Sequence, residues 1–214
     1  MAFVAKPSGY NTLMSTAINV DQDVELRPLD TDDADALFTL TDRNRDYLAK
    51  YLGMPVKHTK VDLEEIQSLD LREVVDHKVK QAFVTLNAPV LVEDVALEFE
   101  AFGRLPGTFI KFYVEEVPFE TICRSLDGMS RNATARCVYG YYDGQTVKFF
   151  EGKLAGRIAE HPAGDKGYGW DSIFIPEDYD VTRAQLDSKG DEATYLKIKP
   201  LAAVKEFLTS LHDS

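Results

Sequence analysis

Residues 133–159, ATARCVYGYYDGQTVKFFEGKLAGRIA, constrain the fold more than any other stretch of this chain. Their alternating character, broken at the Asp143-Gly144 pair, predicts a meander of antiparallel strands. Upstream, DLREVVDHKVKQAFVTL at 70–86 predicts an amphipathic helix with Leu71, Val74, Val75, Val79 and Ala82 on one face. Strands mixed with helices, then a meander, give an α/β or α+β class with two lobes.

Further elements follow from local signals. Residues 24–29 and 56–63 read as strands, and two helices are expected between them, the second ending at Gly53. A strand at 89–93 precedes a helix begun near Pro106, and PFETICRSLDG at 118–128 predicts another helix closed by Gly128. SIFIPE at 172–177 predicts a strand, and the C-terminus a helix starting near Pro200. Residues 1–23 are expected to be a loosely ordered leader or an added segment. Residues 24–214 are read as a single two-lobed domain whose opening segment, 24–50, is atypical.

The bulk numbers exclude several classes. With 214 residues, 44% of them hydrophobic, the chain can bury a core. A net charge of −12 argues against a nucleic-acid polymer as partner, because such binding needs a basic face. No run approaches the ~18 apolar residues of a membrane span. The two cysteines, Cys123 and Cys137, form no Cys-x-x-Cys pair, so neither zinc nor a disulfide framework is expected. A reducing cytoplasm is the default location.

Val90-Leu91-Val92-Glu93-Asp94 carries the chemistry. Three apolar residues read as a buried strand, with two adjacent carboxylates at its C-terminal end. Two charged carboxylates in one site repel, so such a pair needs a metal or serves as a proton acceptor. The bland alternative is a helix cap or a solvated strand end.

Four blocks in order carry a family resemblance: VDLEEIQSLD, PVLVEDVALEFEAFGRLPGTFIKFYVE, FEGKLAGRIA and HPAGDKGYGWDSIFIPE. From about residue 52 onward the chain resembles the inosine triphosphate pyrophosphatase family. The resemblance implies an elongated α/β fold, a mixed sheet with flanking helices and a central cleft between two lobes, and a homodimer. It implies Mg²⁺-dependent cleavage of non-standard purine nucleoside triphosphates, those of inosine, xanthosine and deoxyinosine, to monophosphate and pyrophosphate. Asp94 then matches the family's base, and Glu65 and Asp94 supply carboxylates to the metal from two separate elements. Glu93 either shares the metal or orients Asp94. Lys78 and Lys111 match lysines that reach phosphate, each otherwise an ordinary surface lysine. Tyr168, Gly169, Trp170 and Asp171, in GYGWD, match the base pocket, with core packing as the plainer reading of the two aromatics.

The chain departs from that pattern twice. Where the family has Thr/Ser-Gly-Asn-x-x-Lys, Thr39 is retained but Leu40, Thr41 and Asn44 stand in the glycine, asparagine and lysine positions. Asp42 would repel phosphate, and Arg43 or Arg45 is the candidate replacement cation. Where the family has a Ser-His-Arg run that hydrogen-bonds the purine 6-oxo group, this chain has Tyr195-Leu196-Lys197, so Lys197 keeps only the cation, with Lys189 and Lys199 as nearby candidates. These departures motivate the alternative of a degenerate member that binds nucleotide or dimerises without efficient turnover. Residues 24–48 also resemble the opening strand and helix of GNAT acetyltransferases. That family's acetyl-CoA loop has no counterpart here, so acetyl transfer is not expected.

Overall fold

The computed structural model describes residues 2–5, 18–21, 24–26, 51–52, 56–59 and 61–211. The replaced loop Thr39–Asn44, the cations Arg43 and Arg45, and most of the acetyltransferase-like segment lie outside the described residues.

The centre of the fold is a seven-stranded sheet. Its strands are β1 (Ala2–Ala5), β4 (Val56–Thr59), β5 (Val90–Phe99), β6 (Pro106–Gly107), β7 (Asn132–Tyr142), β8 (Val147–Ile158) and β9 (Phe174–Pro176). The order is β4-β1-β5-β7-β8-β9, with β6 on β5, and a separate ribbon pairs β2 (Ile18–Asp21) with β3 (Val24–Leu26). The α/β class expected from sequence holds. Among the described residues every pairing is antiparallel. The predicted meander is the β7–β8 hairpin, turning at Asp143-Gly144, whose register runs from Tyr142–Val147 to Asn132–Arg157. Ala2–Ala5, expected in a leader, is instead a strand between β4 and β5.

The strand expected at 89–93 is twice as long, running to Phe99 along its full register with β7. Glu93 and Asp94 therefore sit mid-strand, not at its end. Strand pleating sends neighbouring side chains to opposite faces. Val90, Val92 and Ala96 face helix α1 (Leu71–Leu86), while Leu91, Leu97 and Phe99 face the larger core on the other side. Asp70 starts α1 by accepting the Arg72 N–H at 2.9 Å, and Asn87 ends it in the left-handed region at φ 48°.

The larger core is closed by helices α2 (Ile110–Glu116), α3 (Phe119–Arg124), α4 (Ser188–Ile198) and α5 (Leu201–Ser210). Pro200 caps α5 as expected, but α4 was not read from sequence as a helix of its own. Its segment, SKGDEATYLKI, carries a glycine and little apolar periodicity, so only packing against β8 reveals it. Among the described residues no helix is long and apolar enough to cross a membrane.

The end of α4 lies directly on β8 at Gly152. A β-carbon on Gly152 would stand 2.2 Å from the Ile198 carbonyl oxygen, so only glycine permits this approach. Gly152→Ala should therefore destabilise the fold by about 2–3 kcal/mol, the usual scale of overpacking. Urea unfolding measures it, and a loss below about 0.5 kcal/mol, as for an ordinary surface change, would show that α4 can move aside.

Candidate active site

A cavity of about 320 Å³ opens on the α1 face of the sheet, lined by Glu65, Ile66, Gln67, Val74, Asp94, Thr108, Phe109 and Phe112. Its wall at 61–70 has no regular secondary structure, so its shape depends on side chains. The Gln81 amide oxygen accepts the Glu64 N–H at 2.9 Å, Arg104 donates to the Leu69 carbonyl at 2.6 Å, and the Thr108 hydroxyl donates to the Ser68 carbonyl. These bonds fix the segment that carries Glu65.

Lys78 organises the charges. Residues 71, 74, 75, 78, 79 and 82 form the buried stripe of α1, so Lys78 falls among apolar residues and not on the polar face. It is 5% exposed. Its ammonium donates to Glu65 at 2.9 Å and to Asp94 at 2.7 Å, while the other Asp94 oxygen accepts the Val95 N–H at 2.8 Å. Burial disfavours the ammonium, but the charge of Asp94 and the bonds to both carboxylates outweigh it and raise the Lys78 pKa. Partial burial likewise opposes the charge on Glu65. Its bond to Lys78, then the charges of Lys78 and Lys111, still hold the Glu65 carboxyl below its usual value. Lys111, exposed at the start of α2 beside Phe112, thus acts electrostatically on the same site.

Glu93 is not in this site. The pleat turns it to the opposite face, where its side chain is 10% exposed and forms an ion pair with Lys199, itself 8% exposed at the α4–α5 junction. Burial opposes the Glu93 charge, yet Lys199 keeps the carboxyl below its usual value, and the nearby Tyr139 hydroxyl adds to the effect. The second Glu93 oxygen and the Tyr139 hydroxyl are both buried without completing a hydrogen bond of normal geometry. Two adjacent acids thus serve two faces, and the expected shared metal role of Glu93 has no geometric basis.

Among the described residues no cluster of three or more metal-binding side chains exists. Glu65 and Asp94 nonetheless converge on one cation, the Lys78 ammonium. A divalent ion that takes one or two carboxylates and fills its shell with water and phosphate oxygens fits that pair.

The GYGWD segment forms a separate corner. A 3-10 turn at Gly169–Ser172 packs against α2, which links it to Lys111 and Phe112. Tyr168 is 67% exposed. Trp170 packs edge-on against Phe174 at 5.4 Å. Asp171 turns inward: its carboxylate accepts the Tyr168 N–H at 2.9 Å and lies 3.2 Å from the Arg183 guanidinium. Lys197 is half-exposed, with its ammonium 3.9 Å from Glu177 and 3.5 Å from Asp178. Arg183 and Thr108 were not anticipated, since nothing local in DVTRAQL or LPGTF marks them; Lys199, a candidate cation for the base edge, is instead buried against Glu93. Lys78 did carry a signal, its place in the apolar stripe.

The sequence profile of the Ham1 family matches residues 39–207. The chain belongs to the Ham1 family. Inosine triphosphate pyrophosphatase from Candida albicans (strain SC5314 / ATCC MYA-2876) is 35% identical over 158 residues, covering 72% of this chain and 77% of that protein. Inosine triphosphate pyrophosphatase 2 from Trypanosoma cruzi is 38% identical over 153 residues, covering 70% and 78%. The Staphylococcus aureus Ham1 protein superposes with a TM-score of 0.62 at 27% identity, covering 71% of this chain and 82% of its own. A HAM1 protein from Coxiella burnetii shares the fold, with a TM-score of 0.66 at 20% identity over 79% and 94%.

The Glu93–Lys199 pair yields a stability prediction for this Ham1 chain. Lys199→Met strands a buried carboxylate and should cost about 3–5 kcal/mol, most of it recovered when Glu93→Gln is added. The Glu93 pKa is lowered from 4.5, so its contribution is in place above pH 4.5 and is lost as pH falls through the lowered value. The stability gap between parent and Glu93→Gln should therefore narrow in acid. A gap unchanged down to about pH 3 in urea titrations would show that the pair is not ionised.

Proposed function

We propose that this chain hydrolyses non-standard purine nucleoside triphosphates, those of inosine, xanthosine and deoxyinosine, to monophosphate and pyrophosphate with Mg²⁺. The observation that carries the reading is the Lys78 ammonium held by Glu65 and Asp94, two carboxylates that line the cavity, in a chain whose relatives are named inosine triphosphate pyrophosphatases.

The residues divide the work. Lys78, whose raised pKa keeps it charged through neutral pH, and Lys111 offset phosphate charge. Glu65 and Asp94 are the carboxylates that would hold Mg²⁺, which when bound neutralises phosphate oxygens and acidifies a water. Asp94 accepts the proton of the attacking water. The water oxygen bonds to the α-phosphorus, the bond to the bridging oxygen breaks, and pyrophosphate leaves with that electron pair. Asp94 is oriented for this by the Val95 N–H and by Lys78, so its carboxylate does not rotate freely. Tyr168 offers an exposed ring for stacking on the purine. The same reading includes a homodimer in the cytoplasm, supported by the family resemblance and testable by light scattering and fractionation.

The decisive experiment measures pyrophosphate from inosine, xanthosine, deoxyinosine, guanosine and adenosine triphosphates with Mg²⁺. Asp94→Asn should lower turnover at least ~100-fold with the fold intact, the scale of general-base contributions. Glu65→Gln should raise the Mg²⁺ concentration needed. Orthophosphate as product would place cleavage at another bond. Nucleotide binding without product would instead favour the degenerate member motivated by the altered loop at Thr39–Asn44.

A further inference from the structure

We propose that Arg183 is the positioning residue of the base pocket, holding the Gly167–Asp171 loop so that Tyr168 is presented to the purine. This rests on the nucleotide reading above.

Arg183 lies in a 3-10 turn, Arg183–Gln185, and its side chain is 5% exposed. One guanidinium nitrogen donates to Asp191 at 2.9 Å. The Nε lies 3.2 Å from Asp171, outside hydrogen-bond geometry, so that contact is one of charge. The two acids are 12% and 13% exposed. A buried cation between buried Asp171 and largely buried Asp191, from different segments, is a staple, not a solvated surface pair.

The loop needs one. Gly167 and Gly169 flank Tyr168 with φ of +83° and +58°, so the backbone around the ring is intrinsically loose. The Asp171 carboxylate fills the space beneath Gly167, where a β-carbon would lie 2.4 Å from its oxygen. The same oxygen accepts the Tyr168 N–H. Asp171 is thus the inner pin of the loop, and Arg183 balances its charge. A second tie runs alongside: the Thr182 hydroxyl donates to the Ala163 carbonyl at 2.7 Å, and the Lys166 N–H to Ala184 at 3.4 Å. The segment at 182–184 therefore anchors both the approach to the loop and its far end.

The chemistry asks for arginine. A planar fork can face two carboxylates at once, which a lysine ammonium does with less directional constraint. A platform ordered in advance costs the ligand less to bind. Loss of the staple should therefore weaken recognition of the base and leave recognition of the triphosphate alone.

The test uses the full chain. Trp170, the single tryptophan, sits in the loop itself and reports ligand binding through its fluorescence. Inosine monophosphate and inorganic triphosphate, which has no base, are the two probes. In Arg183→Met, half-saturation by inosine monophosphate and KM for inosine triphosphate should rise about ten-fold, within the range expected for loss of stacking. Inhibition by inorganic triphosphate should be unchanged, and kcat should stay within about three-fold, since no transition-state contact is removed. Arg183→Lys should recover part of the loss.

If Arg183→Met does not fold, Arg183→Lys and Asp191→Asn carry the same comparison, each with a smaller rise for inosine monophosphate than for full removal. Unchanged half-saturation in folded variants overturns the proposal. So does an equal weakening for inorganic triphosphate, which would mean a change spread through the whole fold. A parent chain that hydrolyses no nucleoside triphosphate and shows no Trp170 response to inosine monophosphate overturns the nucleotide reading, and this proposal with it.

Discussion

The ammonium of Lys78 ties three elements into one site. It projects from the buried stripe of α1, meets Glu65 from an irregular segment, and meets Asp94 from the middle of β5. A lysine in such a place is tolerable only because two carboxylates and their bonds offset its desolvation. Lys78 and Asp94 sit on a helix stripe and a central strand, which hold side chains more rigidly than loops do, while the Glu65 segment is fixed by the hydrogen bonds of Gln81, Arg104 and Thr108.

The pleat of β5 multiplies this economy. Consecutive residues Glu93 and Asp94 serve opposite faces, one bound to Lys199 beneath the α4–α5 junction and the other to Lys78 in the cavity. The strand that carries the candidate base is thereby pinned from behind by a buried ion pair and from the front by a second. Gly152 lets the end of α4 come close enough to β8 for Lys199 to reach its partner. Structural and chemical acids are neighbours in sequence and strangers in space.

The base corner follows the same logic at a distance. Asp171 looks like a ligand-facing acid in the GYGWD motif, yet its carboxylate turns inward to cap Tyr168 and face Arg183. Tyr168 is the group left exposed. Helix α2 touches this turn and also carries Lys111 and Phe112, the latter lining the cavity, so the GYGWD corner and the cavity meet on one helix.

Local chemistry in the sequence determined much by itself. The period-two hairpin at 132–158, the apolar stripe of α1, the cap at Pro200 and the family blocks were all legible, because each depends on residues close together in the chain. Asp94, Glu65 and the GYGWD segment were singled out through the resemblance, and the structure brings Asp94 and Glu65 together on Lys78. Tertiary structure alone decided the rest. It extended β5 to Phe99 because β7 pairs along its whole length, and that placed Glu93 and Asp94 mid-strand on opposite faces. It drew Lys199 inward and left Lys197 outside, two residues apart on one chain. It gave Arg183 two acidic partners that no spacing announces. Which side chain is buried against which charge depends on packing between segments distant in sequence, and no local pattern encodes that.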